Sequence, residues 1–178
     1  MTLEILFAGF GGQGILFSGK LLAYKALLED KQVSWLPSYG PEMRGGTANC
    51  SVTISDTPIG SPIITKPDIL IAMNLPSLDK YEDAVKPGGK IFIDSTLISR
   101  HVARTDVEVY EIPATMLANE MGAPTLANMV MTGKLMNVVP EISRDFLEDA
   151  LHKCVSARHQ NLYDLNLKAM DLGASYEG

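Results

Sequence analysis

The sequence predicts an α/β fold, a single domain spanning residues 1–178 with a mainly parallel sheet flanked by helices and a glycine-rich loop after the first strand. Three observations predict it. The apolar run Ile5-Leu6-Phe7-Ala8 leads into Gly9-Phe10-Gly11-Gly12-Gln13-Gly14, and a helical pattern opens directly behind. Short apolar runs then alternate with helical stretches, the rhythm of strand–helix–strand units whose right-handed crossovers give parallel pairing. Finally, 178 residues, 46% of them hydrophobic, are enough for one sizeable core.

Taken in order, residues 3–8 read as a central strand buried on both faces. Residues 14–29 follow as a helix, with Ile15, Leu16, Leu21, Leu22, Lys25 and Ala26 in register and Gly19 placed to let helix and sheet approach closely. Residues 33–36 form a short strand cut off by Pro37, and residues 37–46, with two prolines and three glycines, form a loop. Residues 48–54 are the third strand, and 61–66 are either an edge strand or a loop. Residues 67–73 are a strongly apolar strand, 78–85 a helix, 86–89 a turn and 90–95 another strand. Residues 107–112 alternate as a strand that Pro113 stops, and 114–122 read as a helix closed by Gly122. Three more helices complete the chain, at 125–136, at 144–156 with Ser143 as its N-cap, and at 161–172. No repeat or interdomain linker interrupts the pattern.

The charge balance narrows the partners. A net charge of −6 and a pI of about 5.0 argue against generic nucleic-acid binding, which needs clustered Lys and Arg. Cys50 and Cys154 belong to no C-x-x-C pattern, so neither a zinc site nor an iron–sulfur cluster is expected in this chain. Few cysteines, no positive leader at residues 1–4 and no apolar run of membrane length point to the cytoplasm and away from a membrane.

A strand, a tight turn and a helix N-terminus together present free N–H groups and the positive end of a helix dipole, so the default ligand of residues 9–14 is an anion such as a phosphate. Gly9, Gly11 and Gly14 also satisfy the spacing of a dinucleotide fingerprint. That fingerprint calls for an acidic residue at the end of the second strand to hold the ribose, whereas Glu29 and Asp30 precede that strand and Pro37, Ser38 and Tyr39 follow it. Three readings stay open: an NAD(P) site, an anion site, and glycines used only for a tight turn and close packing. Arg44 either grips a phosphate or carboxylate or pairs with Glu42 or Asp56, and Tyr39 stacks on a ligand or packs its own loop. Asp94 and Ser95, at the carboxyl edge of a strand, are expected to be turn and capping residues. His101, His152 and His159 are expected on the surface without carboxylate partners, and Cys50 buried and inert. The methionines at 116, 121, 129, 131 and 136 fit a core or a face packed against another subunit. No catalytic triad, Walker A sequence or thiamine-diphosphate signature is found, so the chain reads as one that completes a site made elsewhere.

The two loops and two later segments carry a family resemblance. Residues 9–14 (GFGGQG), 38–46 (SYGPEMRGG), Pro113-Ala114-Thr115 and Asn128-Met129-Val130 together resemble the gamma subunit of the 2-oxoacid:ferredoxin oxidoreductases, over residues 3 to about 170. The resemblance implies a gamma-type domain without its own thiamine diphosphate or iron–sulfur cluster, both of which lie in other subunits. It implies oxidative decarboxylation of a 2-oxoacid with coenzyme A to an acyl-CoA and reduced ferredoxin, with 2-oxoglutarate the preferred substrate over branched-chain 2-oxoacids. Its partners would be alpha, beta and ferredoxin-like delta subunits, and ferredoxin through the complex. The cofactor-binding residues expected on this basis are Gly9, Gly11, Gly12, Gln13, Gly14, Tyr39, Arg44 and Gly45, which position coenzyme A; none is expected to be catalytic.

Overall fold

A computed structural model describes residues 1–38 and 47–178. Six strands form one sheet: β1 (Thr2–Phe10), β2 (Gln32–Ser38), β3 (Thr47–Ser55), β4 (Ile69–Ala72), β5 (Lys90–Asp94) and β6 (Glu108–Ile112), in the spatial order β2-β3-β1-β4-β5-β6. The ladders from β1 through β4 and β5 to β6 are parallel, with Ile5 opposite Ile69, Ile71 opposite Phe92 and Phe92 opposite Tyr110. The other half departs from a simple βαβ series. β3 lies antiparallel between β1 and β2, with Phe7 opposite Cys50 and Cys50 opposite Pro37. The residue pattern explains the difference. β4 and β5 are continuous apolar runs covered on both faces, whereas β3 alternates Ala48, Cys50, Val52 and Ile54 with Asn49, Ser51, Thr53 and Ser55, the signature of an antiparallel strand with one apolar face.

The period-2 alternation divides the core. Ile5, Phe7, Cys50, Val52, Ile54, Ile69, Ile71 and Phe92 face a large cluster that includes Leu21 and Leu22 of α1 (Ile15–Leu28) and Met129, Val130, Leu135 and Met170 of later helices. Leu6, Ala8, Leu70, Ala72, Ile91 and Ile93 face a smaller cluster capped by Leu78 of α2 (Leu75–Tyr81). Each of these large side chains removed from water contributes about 1.5–3 kcal/mol. Gly19 does what its position suggests, since a Cβ there would stand 2.3 Å from Cys50 Sγ. Lys25 shares the helix's inner face as expected; it is 1% exposed, and its ammonium donates to Glu29 Oε1 at 2.7 Å.

Several boundaries move for identifiable reasons. α2 starts three residues before Leu78 because the Asn74 side chain accepts from the Ser77 amide at 2.9 Å and Pro76 preforms the first turn. Residues 61–66 are irregular, resolving the choice there in favour of a loop. α3 (Ala114–Glu120) closes at Gly122 as expected, with the Ala123 amide donating to Ala118 and the Gly122 amide to Asn119. α4 (Ala127–Val138) follows a short 3-10 turn at Pro124–Leu126. α5 (Leu147–Cys154) has Phe146, not Ser143, as its N-cap; the Ser143 hydroxyl donates to Glu29 Oε1 at 3.2 Å and accepts the Asp145 amide at 3.3 Å, so it closes a local turn and ties the end of α1 to the next loop. α6 (Asn161–Ser175) packs along α4, with Gly133 and Gly173 admitting the opposing backbones.

Candidate functional site

β1 feeds α1 onto one face of the sheet and β4 feeds α2 onto the other, so the gap between the carboxyl ends of β1 and β4 is a topological switch point, the place where open α/β sheets hold ligands. Gly9 to Gly14 fill that gap. The first turn of α1 points its amides into it, and the 14-residue helix brings a positive dipole end equivalent to about half a charge.

Gln13 builds the loop. Its Oε1 accepts from the Phe10 amide at 2.6 Å, and its Nε2 donates to the Met73 carbonyl at 3.1 Å, which staples the loop across to the end of β4. Gly9 makes room for this, since a Cβ there would lie 2.6 Å from Gln13 Oε1. Gly12 and Gly14 adopt φ of 92° and 73°, left-handed backbone that turns the chain into the helix. Among the described residues the amides of Gly11, Gly12 and Gly14 meet no protein acceptor. The loop therefore offers donors of fixed direction, with open space beyond Gly12.

A residue outside the expected set holds the helix start. Asn128, at the beginning of α4 and 5% exposed, donates from Nδ2 to the Gly14 carbonyl at 3.1 Å and to Ser18 Oγ at 3.2 Å, while its Oδ1 has no partner among the described residues. A Cβ on Gly14 would sit 2.4 Å from that Nδ2. Gly14 and Asn128 together open onto a groove of about 360 Å³ whose walls include Phe17, Leu126, Val155 and Leu162. Cys154 also lines it, and burial raises its thiol above the ordinary range.

The other expected residues divide between scaffold and surface. Asp94 is fully buried and caps as expected; it accepts from the Thr96 amide at 3.1 Å, the Thr115 amide at 3.3 Å and the Thr115 hydroxyl at 2.5 Å, which locks β5 to the start of α3. His101 departs from the expectation, for Glu111 Oε1 lies 2.6 Å from its Nδ1 and the carboxylate raises the imidazole above its ordinary value. The two lie ten residues apart and are brought together by the end of β6. Cys50 is buried as expected, and burial pushes its thiol up to about 12. Met129, Met131 and Met136 are core, whereas Met116 is 43% exposed. Tyr39, Arg44 and Gly45 lie outside the described residues. Also among the described residues, no group of three or more His, Cys, Asp or Glu gathers as a metal site, and no helix is long and apolar enough to cross a membrane.

The pyruvate ferredoxin/flavodoxin oxidoreductase family matches residues 4–176, nearly the whole chain and both loops. The chain belongs to this family. Among its relatives, the 2-oxoglutarate synthase subunit KorC of Methanocaldococcus jannaschii is 42% identical over 154 residues, covering 85% of this chain and 82% of that protein. The ketoisovalerate oxidoreductase subunit VorA of Methanothermobacter thermautotrophicus is 39% identical over 174 residues, 97% of this chain but 36% of that protein, so the chain spans about a third of VorA. The keto/oxoacid ferredoxin oxidoreductase gamma subunit of Geobacter sulfurreducens superposes with a TM-score of 0.81 at 30% identity, covering 97% of this chain and 96% of that one. The 2-oxoglutarate:ferredoxin oxidoreductase of Magnetococcus marinus, solved with 2-oxoglutarate, coenzyme A and succinyl-CoA, superposes with a TM-score of 0.86 at 27% identity, covering 97% of this chain and 30% of that one. Family membership accounts for the paired loops. Asn128 was legible only as part of the Asn128-Met129-Val130 match, because its link to Gly14 spans 114 residues.

Proposed function

We propose that this chain is the gamma-type subunit of a 2-oxoacid:ferredoxin oxidoreductase and that its glycine loop holds a phosphate of coenzyme A while other subunits carry out the chemistry. The observation that carries the reading is the loop itself: the amides of Gly11, Gly12 and Gly14 meet no protein acceptor among the described residues and lie at a helix N-terminus on a switch point. Such donors fit a phosphate, which accepts several hydrogen bonds and is stabilised by the dipole. Coenzyme A supplies a thiol that accepts the acyl group in a neighbouring subunit. This chain binds and orients it. Gln13 and Gly9 keep the loop in shape, Asn128 fixes the first turn of α1, and Arg44 adds a bidentate cationic contact to a phosphate. Thiamine diphosphate and the iron–sulfur clusters belong to the alpha, beta and ferredoxin-like delta subunits, with ferredoxin as electron acceptor and the cytoplasm as the compartment. 2-Oxoglutarate is the substrate favoured, because the KorC relative matches this chain over most of both lengths.

The test uses the assembled complex with viologen dye as electron acceptor. Gly12→Asp places a carboxylate among the phosphate donors and should raise the KM for coenzyme A at least tenfold, with the KM for the 2-oxoacid unchanged; Arg44→Ala should act in the same direction. An unchanged KM for coenzyme A in both variants refutes the reading. Comparing 2-oxoglutarate with ketoisovalerate in the same assay decides the substrate, and faster turnover of ketoisovalerate would overturn the preference.

A further inference from the structure

The groove beside Gly14 has a chemistry of its own. It lies between the start of α1, the entry to α4 and the turn that joins α5 to α6, and its walls Phe17, Leu126, Val155 and Leu162 are apolar. Two carboxamides line it as well. Asn128 and Asn166 are 5% and 4% exposed, and each has its amide nitrogen committed, Asn128 Nδ2 to the Gly14 carbonyl and Ser18 Oγ, Asn166 Nδ2 to the Leu162 carbonyl at 2.7 Å. Among the described residues neither Oδ1 receives a donor, and that of Asn128 is buried outright. An amide oxygen buried without a donor is costly, and two of them beside one apolar hollow call for a ligand that brings N–H groups and no negative charge. At about 360 Å³ the groove has the size of a small-molecule site.

Position narrows the choice. The groove shares Gly14 and Phe17 with the cleft lined by Gly11 and Gly12, so a phosphate on the loop and a flat ring in the groove are neighbours. Burial raises the Cys154 thiol and the charge of Lys20 draws it part of the way back, which sets that ammonium near the groove's rim. We propose that the groove is the base pocket of an adenosine phosphate whose phosphate rests on the glycine loop, an inference that rests on the reading of that loop as a phosphate holder. The amino group of the base donates to Asn166 Oδ1, and its flat faces lie on the apolar walls. A base with a carbonyl in place of that amino group would set oxygen against oxygen. Coenzyme A and free adenine nucleotides both present this base and phosphate. For coenzyme A, direction agrees: the thiol leaves for a neighbouring subunit, so the end that stays on this chain is the adenosine. No residue of β2 is among those lining the groove, so the base needs no place on the side where a dinucleotide fold would put its ribose.

Cys154 lines the groove and reports its occupancy without any variant. Alkylation of Cys154 by iodoacetamide, followed on this chain by peptide-resolved mass spectrometry, should slow at least fivefold with saturating coenzyme A or adenosine bisphosphate, and far less with guanosine diphosphate or phosphopantetheine. Protection by both adenine compounds supports the pocket and makes free adenine nucleotides competitors for it; protection by coenzyme A alone supports it as the seat of the carrier's own adenosine. In the assembled complex, coenzyme A deaminated at its base should show a KM at least tenfold above that of coenzyme A. Asn166→Leu, which keeps the side chain's volume and removes the oxygen, should bring the two KM values within twofold of each other. Equal alkylation of Cys154 with and without every adenine compound, or deaminated coenzyme A used as well as coenzyme A by the wild type, would overturn the proposal. If Gly12→Asp raises the KM for coenzyme A while Cys154 stays unprotected, the groove is wrong and the loop reading stands. If Cys154 is protected and Gly12→Asp changes neither that protection nor the KM, the loop reading fails and the base pocket stands.

Discussion

Gly14→Ala and Gly12→Ala separate what the two left-handed glycines of the loop do. Both residues have positive φ, so a Cβ at either costs about 1–2 kcal/mol of backbone strain. Beyond Gly12 there is nothing within 4 Å, and the cost ends there. At Gly14 the new Cβ would lie 2.4 Å from Asn128 Nδ2, so the carboxamide must move and forfeit its bonds to the Gly14 carbonyl and Ser18 Oγ. At about 0.5–1.5 kcal/mol for each bond, the extra cost is about 1–3 kcal/mol. For a domain of this size that difference places the melting temperature of Gly14→Ala about 2–12 °C below that of Gly12→Ala. Thermal unfolding followed by far-UV circular dichroism measures it, and Asn128→Ala supplies the control. Alone it should destabilise by losing the same two bonds; added to Gly14→Ala it should cost little, because those bonds are already gone and the clash is relieved. Equal melting temperatures for the two glycine variants, or full additivity of Asn128→Ala with Gly14→Ala, would refute the link between α4 and the loop.

Other consequences are as specific. Gly173→Ala gains about 1 kcal/mol of helix propensity but drives a Cβ to 1.8 Å from the Val130 carbonyl oxygen, where backbone and not a flexible side chain must yield; the melting temperature should fall, and a rise would show that α4 and α6 separate without cost. His101 titrates above 6.5 because Glu111 holds its charged form. Since the folded value is the raised one, the pair's stabilisation is complete below the ordinary histidine value and is lost as pH rises through the folded value; an NMR titration of Glu111→Gln should bring His101 back toward 6.5. A thiol reagent on the native chain at pH 8 should modify Cys154, which is half-buried, and spare Cys50, whose thiol burial pushes up to about 12; denaturant should expose the second thiol.

The legible parts of the fold were those encoded locally. β4 and β5 are short unbroken apolar runs between turn residues, and such runs have few other ways to hide both faces. Gly19 and Gly122 announced a close approach and a helix end by residue type alone. The misplaced boundaries came from competition between partners. Ser143 is a good N-cap residue by type, but Glu29 from α1 takes its hydroxyl and the helix begins after Phe146, whose φ of 61° no helix-start signal marks. The direction of β3 was present in its alternation of apolar with hydroxyl and amide side chains, yet direction follows from pairing, which depends on what lies beside the strand. At the site, the glycines were plain. Their supports were not, because Met73 and Asn128 are brought to Gln13 and Gly14 by tertiary packing across 60 and 114 residues.

That topology also bears on which ligand the loop suits. A dinucleotide fold places its second strand beside the first, so that an acidic residue at its carboxyl end faces the ribose of a ligand held on the glycines. Here β3 takes that place and runs the other way, and it sets β2 two strand spacings, about 10 Å, from β1. The residues ending β2 are Leu36, Pro37 and Ser38, without a carboxylate. Composition and topology thus remove the ribose clamp independently: an acid added after Leu36 would still stand a strand too far away, and a parallel neighbour would still lack the acid. An anion site needs neither. It requires only donors of fixed direction at a helix start, and Gln13, Gly9 and Asn128 are spent on holding the loop in that shape. The geometry around the glycines therefore suits the proposed grip on a phosphate better than it suits a dinucleotide.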